Sequence, residues 1–495
     1  LVEAVVRGDF DTWGWRTRRL PADTISALRR VYRTDLAPSE GALLFWYMRN
    51  AFVFALGLDA HPRLRLVKYE DLVSRPVEAF RSMFAHLGAR FHDAYVARVR
   101  SDSVGRREPP AASAEIRQLC AELQARLDTA YAAQPEAHDL PSPVLMAINT
   151  MGVGGAERYV AAVSNWLADR GVDVHVASTG GEVLRELRPA VRTHEVDLYR
   201  VRGRIAAPAT ALRELVIAHR PEVVVCHSLA VTWVARLACA GTGTPVVNVA
   251  HGWPAAAYAR VGKLLRGADR VVAVSTDVRD RLVAGGLDAG RCVVVENGVD
   301  TSVLGPREAA RRDAARRSMG GGAFIVVSAG RLTPQKAQHH LFDVARRCRG
   351  MHFVLVGEGT RFDELSAMAA DSSLEGRVKL LGLRHDVPDL LGSADAYLSC
   401  SDWEGMSLTV IEAMASGLPV VATATEGSTR LLADDHGVVV PVGDAEAMAR
   451  ALLALEADPG RRAELGRRAR ERAQDHYGVD RMAAELAAVL RAAAR

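Results

Sequence analysis

Short apolar runs alternate with helical patterns along most of the chain after Ser142. The runs are rich in valine and are bounded by glycine or polar residues. Continuous apolar runs of this kind are typical of parallel strands buried on both faces, and the helical patterns between them supply the crossover connections. The pattern therefore predicts repeated βαβ units over this part of the chain.

The predicted strands fall into two series, separated by a charged, glycine-rich connector. The first series begins at Val144, Asp173, Glu222, Pro245, Arg270 and Cys292, and the second at Phe324, His352, Val378, Ala396, Pro419 and Gly437. Two such series predict two doubly wound α/β domains with a cleft between them. Open α/β sheets bind ligands beyond the carboxyl ends of their strands, so we expect the chemistry in the loops that follow these strands.

The beginning of the chain has a different pattern. It is mostly helical, with one strand-like segment, LRLVKY, over Leu64–Tyr69. The apolar run Ala42–Leu58 is interrupted by Arg49 and Asn50, so it predicts a buried helix rather than a membrane span. A polar, proline-bearing stretch over 134–143 predicts the boundary with the α/β domains.

Composition and charge narrow the class of protein. The 495 residues, 49% of them hydrophobic, are enough for about three domains. The 63 basic and 59 acidic residues are interspersed, without the basic stripe of a nucleic-acid-binding protein. Six scattered cysteines, with no CxxC pair and no clustering with histidine, predict neither disulfides nor a zinc site and favour a cytoplasmic location. Because the chain begins at Leu1 without a leader pattern, we expect its natural start to lie upstream.

One predicted helix start has the features of a phosphate site. Ser407 is a favourable N-cap for a helix that begins at Leu408, and Gly417 with Pro419 predicts its end. The free backbone amides of Ser407, Leu408 and Thr409 would then face the cleft, with the positive end of the helix dipole behind them.

Charged residues surround this helix start. Glu412, in the second helical turn, and Glu404, in the preceding loop, are acceptors suited to sugar hydroxyls. Arg331 and Lys336 follow the first strand of the same domain and are the complement of a diphosphate. Any one of these residues alone is more often simply solvated, so the combination carries the prediction.

The first α/β domain contributes glycines and a histidine. NTMGVGGAERY places Gly152, Gly154 and Gly155 between a strand and a helix, where the backbone can approach a ligand closely. A dinucleotide-binding fingerprint is the alternative, but Glu157 replaces its third glycine and no acidic residue ends the second strand, which disfavours an NAD enzyme. His251, in NVAHGWP, either faces the cleft or is a structural histidine.

Together these motifs resemble the retaining glycosyltransferases of the GT-B fold, in the family that includes bacterial α-mannosyltransferases and sucrose synthases (glycosyltransferase family 4, glycosyl transferases group 1). The similar segments are GVGGAE, AHG, VENGVD, AGRLTPQKA, VGEG and LGLRHDVPDLLGSADAYLSCSDWEGMSLTVIEAMASGLPVV, within 143–495. The resemblance implies an acceptor domain over 142–312, a donor domain over 313–478 and a last helix over 479–495 that crosses back to the first domain.

The resemblance also implies roles for the site residues. Glu412 would bind the nucleotide ribose, Glu404 the donor-sugar hydroxyls, and Arg331 with Lys336 the diphosphate. His251 would touch the donor sugar near the reaction centre. Further donor contacts would come from Gly154, Gly155, the amides of Ser407, Leu408 and Thr409, and the backbone around Leu383 and Arg384, which would hold the base.

The implied reaction transfers a sugar, with retention of configuration, from a nucleotide-diphosphate sugar to a glycan, lipid-linked or small-molecule acceptor. The leaving phosphate would take the acceptor's proton, and no metal ion or other cofactor is expected. The expected partners are the nucleotide sugar and the acceptor, not nucleic acid. Basic and apolar residues interleaved over 257–270 allow peripheral contact with an anionic membrane, although a solvated helix is the simpler interpretation.

The amino-terminal segment, residues 1–137, has a resemblance of its own. LRLVKYEDLVSRPVEAFRSMFAHLG looks like the late part of sulfotransferases, and SVGRR resembles their terminal motif, in which Arg106 would meet a phosphate. The early strand and donor-binding loop of that family are missing, so this segment is expected to be inactive alone. A helical bundle with one edge strand is the alternative. Two other functions therefore stay open: a fusion that mainly transfers sulfate at full length, and a nucleotide-binding scaffold without turnover.

Overall fold

The computed structural model describes residues 22–60, 64–86, 93–97, 99, 111–133, 140–198 and 205–494. The chain divides into two compact units, Leu1–Asp139 and Leu140–Arg495. The described helices of the first unit are α1 (Ala22–Val31), α2 (Pro38–Ala55), α3 (Tyr69–Ser74), α4 (Pro76–His86) and α5 (Ala114–Ala133).

Apolar side chains of α1, α2 and α5 form the core of the first unit. Leu28, Leu44, Met48 and Ile116 are almost completely buried there. Helix α2 contains most of the apolar run for which a buried helix was predicted, and it buries Leu44, Met48 and Ala51. Within the part of the chain that the structure describes, no helix is both long and apolar enough to cross a bilayer.

The strand predicted over Leu64–Tyr69 was wrong. Residues 64–68 have no regular secondary structure, and Tyr69 begins α3. A strand needs a neighbouring strand to form its hydrogen-bonded ladder, and both sheets of the described chain lie in the second unit. Pro76 begins the helix α4. SVGRR, including Arg106, lies outside the described residues, so the sulfotransferase-like interpretation stays a prediction.

Two parallel sheets form the framework of the second unit. The first contains β1 (Val144–Ala147), β2 (Val174–Ser178), β3 (Arg192–Glu195), β4 (Val223–Cys226), β5 (Val246–Ala250), β6 (Arg270–Ala273) and β7 (Cys292–Val294). The second contains β8 (Phe324–Ala329), β9 (Met351–Val356), β10 (Val378–Leu380), β11 (Ala396–Ser399), β12 (Val420–Thr423) and β13 (Val438–Val440).

Helices connect and cover these strands. In the first sheet domain they are α6 (Gly155–Ala168), α7 (Ala206–His219), α8 (Leu229–Ala238), α9 (Tyr258–Leu264) and α10 (Thr276–Ala284). In the second they are α11 (Ala309–Ser318), α12 (His339–Arg347), α13 (Phe362–Ala369), α14 (Val387–Leu391), α15 (Leu408–Ala415), α16 (Glu426–Leu431), α17 (Ala445–Ala457) and α18 (Pro459–His476). The last helix, α19 (Val479–Ala494), crosses back to the first sheet domain. Helix α19 packs on α6, where the Trp166 indole nitrogen donates to Asp480 Oδ1 at 2.7 Å.

Both sheets have the strand order of a dinucleotide-type Rossmann fold. The first runs β3-β2-β1-β4-β5-β6-β7 and the second β10-β9-β8-β11-β12-β13. Each order reverses once, between β1 and β4 and between β8 and β11, and these reversals open a crevice at the carboxyl ends of the strands. The predicted α/β class with two Rossmann-like domains is therefore confirmed.

Every strand predicted after Ser142 overlaps an observed strand. Most of these strands are apolar runs that the structure buries, whereas β7, β10 and β13 are only partly buried. The prediction missed β3. Its sequence, RTHE, is polar, and three of its four residues are exposed at the edge of the sheet. An edge strand of this kind has no apolar run by which sequence alone could identify it.

Candidate active site

A cleft between the two sheet domains encloses about 1170 Å³ of empty space, open to solvent. It lies where both strand orders reverse, because the loops after β1, β5, β8 and β11 line it. All of the residues predicted for the site line this cleft: Gly154, Gly155, His251, Arg331, Lys336, Leu383, Arg384, Glu404, Ser407, Leu408, Thr409 and Glu412.

Lys336 and Glu404 form the most buried ion pair of the cleft. Lys336 Nζ lies 2.5 Å from Glu404 Oε1, which also accepts a hydrogen bond from the Ser401 hydroxyl at 2.8 Å. The two loops are held together by backbone, since the Asp402 amide donates to the Gln335 carbonyl at 2.9 Å. The side chains are only 19% and 7% exposed, so the pair is held in a fixed geometry and poorly screened by water.

Helix α15 begins at Leu408, as predicted, with Ser407 at the N-cap position. The predicted side-chain cap was wrong, because the Ser407 hydroxyl contacts the Thr409 hydroxyl at 3.1 Å and accepts no backbone amide. Tyr397 fixes the helix start instead, with its hydroxyl 2.9 Å from both the Ala329 carbonyl and the Thr409 hydroxyl. The first-turn amides of α15 consequently remain free of a side-chain cap.

A second helix start faces the first across the cleft. Helix α6 begins at Gly155 after the N-cap Gly154, which has no side chain to offer its amides. A Cβ added at Gly155 would lie 3.7 Å from Leu408 Cδ1, and one added at Gly154 would lie 2.3 Å from Glu157 Oε2. The glycine loop thus packs closely against the other domain, and the positive ends of two helix dipoles point into one cavity.

Glu412 pairs across the cleft with Arg158, a residue that the sequence did not single out. Arg158 Nη1 lies 3.3 Å from Glu412 Oε1. Glu412 Oε2 is buried and accepts no hydrogen bond among the described residues. Burial raises the pKa of Glu412 above its ordinary value, and the neighbouring Arg158 opposes that rise. Oε2 is therefore an acceptor available to a ligand.

Arg331 has a counter-charge in the opposite domain. Its guanidinium lies 3.8 Å from Glu157 Oε1, and its side chain is half exposed to the cleft while Glu157 is buried. Burial raises the pKa of Glu157, and the positive charge of Arg331 acts in the other direction. Glu157 is the residue that replaces the third glycine of a dinucleotide-binding fingerprint. It is thus the ion-pair partner of Arg331, which is predicted to bind the diphosphate.

His251 follows β5 and belongs to a buried aromatic cluster. Its Nε2 lies 3.2 Å from Nδ1 of His227, and the ring of Tyr159 packs on both imidazoles. Burial, with a smaller effect of Arg331, lowers the pKa of His251 to about 4, and burial also lowers that of His227. The pair is consequently neutral at neutral pH, with His227 behind His251.

The backbone beside His251 touches the loop that carries Glu404. Gly252 has φ +107°, and a Cβ there would lie 2.9 Å from Gly405 Cα. A Cβ on Gly405 would lie 2.2 Å from the His251 carbonyl oxygen. Only glycine fits at both positions, so His251 and Glu404 are brought to the same end of the cleft.

Leu383 and Arg384 line the cleft at another part of its wall. The Arg384 guanidinium forms a paired contact with Asp386, with nitrogen–oxygen distances of 2.7 and 2.6 Å. This contact holds the Arg384 side chain and raises its pKa while lowering that of Asp386. The backbone of this segment is therefore held in place by its own side chains.

The site residues that the sequence did not reveal are Arg158 and His227. Arg158 is separated from Glu412 by more than half of the chain, and it looks like an ordinary polar residue of an amphipathic helix. His227 follows β4 directly, at the carboxyl end of a strand, where site residues were expected. Its position in the sequence could therefore have identified it as a candidate site residue.

Two family models match the second unit. The model for Glycosyltransferase Family 4 matches residues 153–303, and the model for Glycosyl transferases group 1 matches residues 311–472. These matches cover most of both sheet domains, apart from β1 and α19, and they include every site residue described above.

Curated relatives agree with this assignment. The chain is 26% identical to the lipopolysaccharide core biosynthesis glycosyltransferase LpsE of Rhizobium meliloti, over 64% of this chain and 90% of that protein. It is 30% identical to the D-inositol 3-phosphate glycosyltransferase of Mycobacteroides abscessus, over 61% of this chain and 77% of that protein.

Solved structures share the fold of the second unit. Anabaena HepE in complex with UDP-glucose aligns with a TM-score of 0.64 at 22% identity, over 70% of this chain and 99% of that one. WaaG, a glycosyltransferase involved in lipopolysaccharide biosynthesis, aligns with a TM-score of 0.60 at 17% identity, over 70% and 99%. The chain therefore belongs to the family 4, group 1 glycosyltransferases, and it is a glycosyltransferase with the GT-B fold.

Proposed function

We propose that the protein transfers a sugar, with retention of anomeric configuration, from a nucleotide-diphosphate sugar to a glycan, lipid-linked or small-molecule acceptor. One observation carries the proposal: two cations, two uncapped helix starts and a carboxylate with a free oxygen converge on a single cleft. A diphosphate flanked by a ribose and a sugar is the ligand that matches this combination.

Arg331 and Lys336 are the proposed ligands of the diphosphate, assisted by the amides of Leu408 and Thr409. Charge develops on the phosphate oxygens as the sugar–phosphate bond breaks. Fixed cations and amide dipoles in a partly dry cleft stabilise that charge without having to reorganise. The structure supports this role because the Lys336 side chain is fixed by its pairing with Glu404.

The two glutamates are assigned to the two sugars of the donor. Glu412 Oε2 would accept a hydroxyl of the nucleotide ribose, since it is buried and has no other described hydrogen bond. Glu404 would face the transferred sugar, because its loop touches the His251–Gly252 backbone at the far end of the cleft. His251 would contact that sugar as a neutral imidazole.

Retention is proposed to follow from attack on the face that the phosphate leaves. The acceptor oxygen bonds to the anomeric carbon, the carbon–phosphate oxygen bond breaks, and the acceptor's proton passes to the leaving phosphate. Two observations support this route over a covalent one: Glu404 is engaged with Lys336, and Glu412 is assigned to the ribose, away from the anomeric carbon.

Thermal-shift measurements with UDP, GDP, ADP and their sugars test the donor class. We expect one nucleoside diphosphate to raise the melting temperature, with the matching monophosphate much weaker. The names of relatives motivate the choice, since they include a UDP-galactose-dependent enzyme from Escherichia coli and a GDP-mannose-dependent enzyme from Mycobacterium tuberculosis. A folded protein unaffected by all of them would overturn the proposal.

Proton NMR of the first product formed tests the stereochemistry. Retention predicts that the new glycosidic bond has the anomeric configuration of the donor sugar. An inverted product would exclude the proposed attack while leaving sugar transfer itself intact. Peripheral membrane contact is a further proposal, which sedimentation with anionic vesicles can test. A cytoplasmic location is another, which cell fractionation can test.

A further inference from the structure

Three histidines meet on one face of the first sheet, away from the cleft. His175 lies in β2, His194 lies in the edge strand β3, and His219 is the last residue of α7. One ligand nitrogen from each ring lies within 4.8 Å of those of the other two. We call these residues the histidine cluster.

The strand register explains why the three rings meet. Ala177 of β2 is opposite His194 of β3, so His175 and His194 point to the same face of the sheet, one diagonal step apart. Helix α7 covers this face, because Ala209, Leu212 and Val216 share a core cluster with Ala177. The last turn of α7 thereby places His219 over the other two rings.

The rings lie in contact with one another. Their centroids are 5.1 Å apart for His175 and His194, 4.2 Å for His175 and His219, and 5.0 Å for His194 and His219. A single described hydrogen bond joins rings within the cluster, between His175 Nδ1 and His194 Nε2 at 2.8 Å. That bond alone does not account for the convergence of a third imidazole.

A carboxylate lies next to one of the imidazoles of the cluster. That imidazole belongs to His175, which is 1% exposed. Asp173 Oδ1 lies 3.3 Å from His175 Nε2, and its other oxygen pairs with Arg192. This ring nitrogen makes no hydrogen bond to the carboxylate beside it, and the other nitrogen is directed at the cluster. A carboxylate next to the outer nitrogen is the arrangement seen behind metal-binding histidines.

We propose that His175, His194 and His219 bind one divalent transition-metal ion of the zinc class, with Asp173 orienting His175. Three imidazoles and an open fourth position suit Zn²⁺ and its imidazole-preferring neighbours rather than Mg²⁺ or Ca²⁺. Nitrogens bound to one tetrahedral Zn²⁺ lie roughly 3.3 Å apart. Binding therefore requires His175 and His194 to separate slightly and His219 to move inward.

The ion would stabilise the edge strand β3 and would take no part in sugar transfer. None of the cluster residues lines the cleft. His175 is near the amino end of β2 and His219 is at the end of a helix that returns to the amino ends of the strands, opposite the donor site. Strand β3 buries little of its own surface, so a metal joining it to β2 and α7 adds stability that its packing lacks.

Calorimetric titration of the full, untagged chain with ZnCl₂, after treatment with a chelator, tests the site. We expect one tightly bound ion per chain and a higher melting temperature in its presence. His194→Gln and His219→Gln should each abolish tight binding, while Asp173→Asn should weaken it by about 10- to 100-fold. Co²⁺ in place of Zn²⁺ should give the visible absorption of a tetrahedral nitrogen site in the wild type, and this absorption should be lost in His194→Gln and His219→Gln.

The matched control is His340→Gln. His339 and His340 are also adjacent rings, 4.0 Å apart, but they lie outside the cluster. This variant should bind Zn²⁺ as the wild type does, and all four variants should keep their affinity for the donor nucleotide. Absence of stoichiometric binding by the wild type would overturn the proposal. So would equal binding by the control and by whichever cluster variant folds, as judged by circular dichroism.

Discussion

The two walls of the cleft differ in their chemistry. The second sheet domain contributes the cations Arg331 and Lys336 and both site glutamates. The first contributes glycine backbone, a neutral histidine pair and two residues, Arg158 and Glu157, that pair with charges of the second wall. Donor recognition is thus concentrated in one domain, and the other supplies a neutral surface for the sugar together with counter-charges.

Lys336→Ala should have the largest effect, because it removes a fixed cation from the charged wall. We expect kcat to fall by about 100- to 1000-fold, as when one preorganised donor to a developing oxyanion is lost. Initial-rate measurements with the donor identified by thermal shift provide the check. Lys379→Ala, an exposed lysine of the same domain, is the matched control and should keep its activity.

A double variant separates catalysis from stability in this experiment. Lys336→Ala leaves the buried Glu404 without its partner, which destabilises the fold by up to about 3 kcal/mol. Lys336→Ala/Glu404→Gln should regain much of that stability in urea unfolding and remain inactive. Recovery of activity together with stability would mean that Lys336 is only a structural partner of Glu404.

Glu412→Gln should weaken nucleoside diphosphate binding by about 10- to 100-fold. This is the loss in affinity expected when a hydrogen bond to a charged acceptor is replaced by one to a neutral acceptor. Inorganic diphosphate lacks the ribose, so its affinity should be unchanged. Calorimetry with both ligands distinguishes the two contributions. An equal loss for both ligands would mean that Glu412 acts on the phosphate site and would contradict its assignment to the ribose.

The wall formed by the first sheet domain, which we call the neutral wall, should affect the pH dependence of stability through His251. The pKa of His251 is lowered to about 4 from an ordinary value of 6.5. As pH falls below about 6.5 the unfolded chain binds a proton that the folded protein does not, so the free energy of unfolding decreases until about pH 4. Each pKa unit of difference corresponds to about 1.4 kcal/mol. His251→Asn should flatten this decrease in urea unfolding at several pH values, whereas an unchanged slope would mean that folding does not lower the pKa of His251.

Arg158→Ala should have a smaller effect, seen mainly at acidic pH. Burial already raises the pKa of Glu412, and removing the positive charge of Arg158 raises it further. Nucleotide affinity should then decline at a higher pH than in the wild type, as Glu412 becomes protonated. Arg185→Ala, an exposed arginine of the same domain, should follow the wild-type profile. Coincident profiles for all three proteins would exclude the coupling.

The sequence predicted the site residues of the second sheet domain, the charged wall, better than those of the first sheet domain, the neutral wall. The charged wall consists of residues in short segments that follow apolar strands: Arg331, Lys336, Glu404 and Glu412. In a βαβ unit, a segment that follows a strand lies at the carboxyl end of the sheet, so the sequence places these residues at the cleft. The pairing of Glu412 with Arg158 depends instead on how the two sheet domains meet, which no local pattern encodes.

The edge strand β3 and the histidine cluster were missed for a related reason. RTHE has no apolar period, and its placement follows from the register with β2. His175, His194 and His219 come from three separate elements, so their spacing along the chain does not resemble a metal motif. Local pattern thus predicts buried elements, whereas contacts between elements require the assembled fold.

Ser407→Ala should have the smallest effect, and Ser275 provides its matched counterpart in the first domain. The Ser275 hydroxyl accepts the Val278 amide at the start of α10, so Ser275→Ala should cost about 1 kcal/mol of stability. The Ser407 hydroxyl caps no amide, and Ser407→Ala should cost less than that in urea unfolding, with unchanged nucleotide affinity. If the backbone amides of α15 bind the phosphate and the Ser407 hydroxyl does not, then Ser407→Ala leaves all of these hydrogen-bond donors intact. A clear loss of nucleotide affinity would instead assign the hydroxyl itself to the phosphate.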